Sequence, residues 1–172
     1  MEKPDKYYKE TEQKFDSGKP AEIIGALNDM RINGKASVMP LVFRLLEQNP
    51  AKEITDEIFT LLSQLKNKEC VPHIIGALQS GRLEKYNTQL ITTCWQSGLD
   101  YSEHIIVFAE HFIKGGYQTA IEAFSVIEEW IFESHHETVS ECKKFLIGAM
   151  DKVSAEKKPL YIELVKVVES HM

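Results

Sequence analysis

Pro40-Leu-Val-Phe-Arg-Leu-Leu-Glu-Gln48, continued by Ile54-Thr-Asp-Glu-Ile58, overlays Pro72-His-Ile-Ile-Gly-Ala-Leu-Gln-Ser80, continued by Tyr86-Asn-Thr-Gln-Leu90, without a gap at an offset of 32. A second shift, of 31, carries His73-Ile-Ile75 onto His104-Ile-Ile106, Tyr86 onto Tyr117, Thr88 onto Thr119 and Leu90 onto Ile121. Self-similarity at a period of about 30 to 40 residues, in segments whose apolar residues recur at helical spacing, marks an α-solenoid. The expected fold is therefore all-α, a short solenoid of about nine helices between residues 20 and 171.

Working outward from the repeat, punctuation separates the helices. Pro20 suits a first helical position, and Ile23, Ile24, Leu27 and Met30 follow until Asn33-Gly34. A helix over about 36–48 carries Val38, Leu41, Val42, Leu45 and Leu46. Asn49-Pro50 then reads as an N-cap and first-turn proline for a helix through Ile54, Ile58, Leu61, Leu62 and Leu65. The next pair covers about 69–80 and 84–97, closed by Gly98 in the left-handed position. Asp100-Tyr-Ser-Glu103 and Thr138-Val-Ser-Glu141 have the form of capping boxes, each opening a further helix. Residues 1–19 stand apart as a charged cap or tail before a repeat domain of 20–172. Tyr7, Tyr8 and Phe15 are that segment's only apolar anchors.

A hairpin of two short helices cannot bury both its stripes, so neighbouring hairpins must stack and share a core. Ile23-Ile-Gly-Ala-Leu27, Ile74-Ile-Gly-Ala-Leu78 and Leu146-Ile-Gly-Ala-Met150 put glycine in apolar helices, where it costs about 1 kcal/mol against alanine. The expected return is close helix approach.

Hairpins of 31 to 36 residues, Pro40 and Pro72 early in a first helix, and the Ile and Leu ladder resemble HEAT repeats and the related armadillo-like helical domains, over about residues 20–171. Asp56 and Lys85 are loose matches to that family's turn Asp and second-helix base, and the last two units lack the proline. The resemblance implies a right-handed superhelix whose second helices line a concave protein-binding surface.

The formal charge of −6 argues against a nucleic-acid binder, which needs clustered Lys and Arg. Lys143-Lys144 and Lys157-Lys158 read as solvated helix faces rather than a duplex-length track. The amino terminus carries no apolar targeting core, and no apolar run approaches the ~20 residues that cross a bilayer. Three widely spaced cysteines, Cys70, Cys94 and Cys142, form no disulfide or zinc pattern, which points to the cytoplasm. Cys142, near Lys144 at a helix start, is the one thiol with an activating setting, and its expected role is still structural.

Some HEAT-repeat hydroxylases hold di-iron with His-Glu pairs, and Glu103-His104, Glu110-His111 and His135-His136-Glu137 invite that comparison. His104 and His111 would stand about 10.5 Å apart along a helix and could not share one ion. No metal, cofactor or catalytic residue is expected. The runner-up is nonetheless an enzyme on this scaffold, a metal hydroxylase or a DNA-glycosylase-like protein. A third class is a dimerisation module through the C-terminal helix, where Leu160, Ile162, Leu164, Val165, Val167 and Val168 spread around the circumference.

The leading expectation is non-catalytic protein recognition. Thr60, Ser63 and Gln64 lie off the apolar stripe of their helix, and the offset of 32 carries them to Thr92, Trp95 and Gln96. Trp95 thus replaces a serine at an outward position, and exposed tryptophans are enriched in binding hot spots. Glu129 and Trp130 complete the set one unit later. A ridge of Glu122, Glu129 and Glu133 favours a basic peptide or a protein with a positive patch.

Overall fold

The computed structural model describes residues 6–172, which hold ten α-helices and no strand. The chain divides into two compact units between Glu84 and Lys85. The first contains α1 (Lys6–Asp16), α2 (Pro20–Asn33), α3 (Met39–Glu47), α4 (Lys52–Ser63) and α5 (Val71–Gln79). The second contains α6 (Asn87–Ser97), α7 (Ile105–Lys114), α8 (Tyr117–Trp130), α9 (His136–Gly148) and α10 (Lys158–Glu169). The nine helices read from residues 20–171 are α2 to α10. Residues 6–16 of the charged segment form α1, and residues 1–5 of it lie outside the described residues.

In the first unit α2 packs on α4 and α3 on α5, giving two layers, with α1 against α2 and α3. Phe15 and Thr11 bury the inner side of α1, and Arg44 of α3 reaches its polar side, donating to Glu12 at 3.0 Å and Asp16 at 3.1 Å. The offset of 32 holds to the residue. Short 3-10 turns at Ala36–Val38 and Lys68–Cys70 precede α3 and α5, two helices of nine residues with proline in their first turn.

The second unit repeats the scheme, with α7 on α9 in one layer and α6 and α10 flanking α8 in the other. Tyr101, Phe108 and Phe112 are fully buried, and Tyr101 meets Phe108 edge to face with ring centroids 5.5 Å apart. Here the offset of 31 holds for the α6–α8 pair, where the Thr88 and Thr119 hydroxyls stand 2.7 Å apart. It fails for His73 and His104. His73 is the third residue of α5, whereas His104 ends a 3-10 turn and caps α7.

Several helix ends differ from the expectation. Asn49 does not cap α4: at φ 54° it takes the left-handed position after α3, which asparagine tolerates, and Pro50 follows as it does after many helix ends. Thr138 does not cap α9, because the helix already begins at His136, and Ser134 instead spends its hydroxyl on the Ser102 and Trp130 carbonyls at 2.8 and 2.9 Å. Asp100 accepts from the Ser102 amide at 2.8 Å, but the turn it fixes is 3-10, and α7 starts only at Ile105. Gly98, at φ 66°, does end α6 in the left-handed conformation.

The helical glycines do not mediate close approach. A Cβ placed on Gly25, Gly76 or Gly148 would meet no atom within 4 Å. The cramped glycines lie at helix ends: a Cβ on Gly115 would lie 2.6 Å from the Thr119 side chain, and one on Gly34 would lie 2.9 Å from the Met30 carbonyl oxygen. Gly25→Ala and Gly76→Ala, both inside helices of the first unit, should therefore each stabilise it by about 0.5–1 kcal/mol. Urea unfolding followed by far-UV circular dichroism measures this, and a lower midpoint for either variant would contradict the open geometry.

Lys157 corrects the reading of its doublet as a solvated face. It is 4% exposed, and its ammonium donates to the carbonyls of Phe112, Ile113 and Gly115 at 2.8, 2.7 and 2.8 Å. The last carbonyls of a helix lack intrahelical partners and carry its negative end, so a cation there satisfies both needs. Lys157 thereby caps α7 from the start of α10. Lys143 is also engaged, 3.2 Å from Glu169, and Lys144 is exposed.

Candidate functional site

The residues singled out in the sequence divide between the two units. Thr60, Ser63 and Gln64 sit at the end of α4 in the first. The Thr60 hydroxyl donates to the Asp56 carbonyl at 2.9 Å and that of Ser63 to the Thr60 carbonyl at 2.9 Å, so both donors are spent within their own helix. Gln64 is exposed just past the helix end.

In the second unit Thr92, Trp95 and Gln96 lie on α6, and Glu129 and Trp130 on the last turn of α8. Thr92 donates to its own helix, to the Thr88 carbonyl at 2.9 Å, and Gln96 is exposed. Trp95 is 40% exposed, with its indole N–H donating to Glu122 Oε2 at 2.8 Å. The other oxygen of Glu122 accepts from the Gln118 amide at 2.7 Å. A helical side chain leans towards the helix N-terminus, which is how Trp95 reaches back to Glu122. Glu129 is exposed two turns further along α8. Trp130 is half-buried, and its indole nitrogen is shielded from solvent without an acceptor among the described residues. It belongs more to packing than to the surface that Trp95 presents.

The three thiols are buried and free, and burial pushes Cys70 up to about 11 and Cys94 and Cys142 up to about 12. For Cys142 this overturns the activating setting read from Lys144, because the thiol faces the interior while Lys144 faces water. Among the described residues no group of three His, Cys, Asp or Glu is placed to hold a metal ion. His104 and His111 are half-buried on α7 and its approach, and His135 and His136 are exposed at the start of α9.

The family models, curated proteins and solved structures compared with this chain contain no match.

A groove in the first unit was not foreseen from the residues. About 460 Å³ of space opens between α3 and α5, lined by Pro40, Phe43, Pro72, Gly76, Ala77 and Leu83, with Arg82 and Glu47 paired across it at 3.3 Å. The available signal was Gly76, whose missing side chain helps to keep the space open. On α10, Leu164 and Val168 are buried and Leu160, Val165 and Val167 half-buried, leaving Ile162 as the exposed member of that apolar set. Among the described residues no helix is long and apolar enough to cross a membrane.

Proposed function

We propose that the chain is a HEAT-like, non-catalytic recognition module that binds a protein or peptide, with the α6–α8 face as its contact surface. The observation that supports this is Trp95, a large aromatic side chain left 40% exposed yet fixed in orientation by Glu122. An exposed tryptophan that is already ordered loses little conformational freedom on binding, and such residues dominate interface energetics. Thr92 and Gln96 on α6 and Glu129 on α8 supply the polar surroundings. A basic partner matches the carboxylates beside it, and a reducing compartment such as the cytoplasm suits three free buried thiols.

The test is affinity capture from native lysate with wild type and Trp95→Ala, the latter shown to be folded by circular dichroism. A stoichiometric partner should bind the variant more weakly by roughly thirtyfold, the effect of a hot spot worth about 2 kcal/mol. A partner held equally well by both proteins would remove this face from the reading. Trp130 is left intact because its shielded ring would confuse stability with binding.

A further inference from the structure

Resting on the α6–α8 face as a recognition surface, we infer that its occupant is a basic segment of a partner protein, anchored by an arginine or lysine side chain laid on Trp95 between Glu122 and Glu129. The placement follows from the register of the two helices. Thr88 meets Thr119 and, further along both, Trp95 meets Glu122, so α6 and α8 run parallel. Seven residues on from the threonine pair, the Trp95 backbone stands level with Val126 of α8. Glu122 lies one turn below that level and Glu129 about one turn above it, and the two share one side of α8. The indole leans to the Glu122 end, and Glu129 stands about 10.5 Å further along the same side of α8, so a long cationic side chain crossing the ring can reach both carboxylates.

Charge decides the class of occupant. Glu122, Glu128, Glu129 and Glu133 have no cationic partner among the described residues. The second unit, residues 85–172, has eight lysines, no arginine and thirteen acidic residues, so it carries −5 of the chain's −6. Four of those lysines are engaged elsewhere, Lys114 with Glu110, Lys143 with Glu169, Lys166 with Glu163, and Lys157 inside the fold, and none of the other four is paired with a carboxylate of this face. An apolar or acidic partner covering this face would strip water from unpaired carboxylates, a cost that opposes docking. A cation pairs with them and also meets the electron-rich face of the ring.

The experiment is an NMR titration of the 15N-labelled full chain. It follows the two tryptophan indole N–H signals, assigned with Trp130→Phe. The probes are a capped alanine hexapeptide carrying two arginines and the same peptide with two glutamates or two leucines instead. The arginine peptide should shift the Trp95 signal in a saturable way. Binding should weaken about threefold or more between 50 and 300 mM salt, and about fivefold or more in the Glu122→Gln, Glu129→Gln double variant. Gln at 122 keeps an acceptor for the indole, so the variant removes charge rather than ring position. An equal response to the leucine or glutamate peptide would overturn the cationic anchor and leave the face standing as a recognition surface. No response to any peptide would overturn the anchor as well, and the Trp95→Ala capture then decides the face separately.

Discussion

Lys157→Met should destabilise the second unit by about 3 kcal/mol, whereas Lys158→Met, one residue on and exposed, should stay within about 0.5 kcal/mol of wild type. Methionine keeps the buried stem of Lys157 and removes only the ammonium. What is lost is three short donor contacts to Phe112, Ile113 and Gly115, leaving two buried carbonyls and one part-buried carbonyl at the negative end of α7 without the ammonium. The net effect is smaller than three charged hydrogen bonds because the wild type already bears the cost of burying a cation, which pulls the Lys157 pKa below the ordinary lysine value. Lys157→Arg should not rescue, since a planar fork cannot direct its donors at three converging oxygens as an ammonium does. Both tryptophans lie in this unit, so fluorescence-detected urea unfolding reports on it directly. The corresponding fall in the melting temperature of this unit is about 12–24 °C. A Lys157→Met midpoint equal to that of Lys158→Met would show that the carbonyls find other partners.

This lysine also marks the limit of what the sequence reveals. Apolar periodicity located α2 to α10 because each helix buries one stripe, and Ile23, Leu27, Leu41, Leu46, Ile58 and Leu62 all sit in the core as the spacing required. A lysine pair on a polar stretch reads as solvent-facing under the same rule. Only the meeting of α10's start with α7's end, over forty residues earlier, makes Lys157 internal. Asn49 and Thr138 misled for a related reason. A polar residue between two helices can close the first or open the second, and the backbone angle that decides between them is not written in residue type. The glycines of the Gly-Ala segments failed differently, since nothing local tells a glycine in contact from one facing open space.

The candidate face was legible in part. The offset of 32 placed Trp95 where an outward residue should stand, and the structure leaves it at the surface. The hydrogen bond to Glu122 joins residues on two different helices and depends on how Trp95 leans, which no repeat register reports. Trp130 has the same residue type and an acidic neighbour, yet it is half-buried at the end of α8. Residue type nominates a contact, and packing decides whether the ring is offered.

The buried thiols make alkaline pH a selective stress. A cysteine in the unfolded chain ionises near pH 8.5, while burial holds Cys94 and Cys142 protonated up to about 12. Above pH 8.5 the native state therefore binds more protons than the unfolded state. The stability from each raised pKa is fully present below pH 8.5 and is lost progressively as pH climbs towards 12. At pH 10 each thiol should account for a loss on the order of 1.5–2 kcal/mol relative to neutral pH, so the second unit loses about 3–4 kcal/mol from the pair. Tyr161, whose pKa is also raised by burial, acts in the same direction. Lys157 opposes them, because its depressed pKa makes stability rise as it loses its proton. The thiol contribution is isolated by comparing wild type with Cys142→Ala: the variant starts less stable at pH 7 but should lose about 1.5–2 kcal/mol less between pH 7 and pH 10. Equal losses in the two proteins would mean that Cys142 ionises alike in the folded and unfolded chains. Native protein at pH 8 should also react with a disulfide reagent on the order of a thousandfold more slowly than in urea, because a thiol held near 12 presents almost no thiolate.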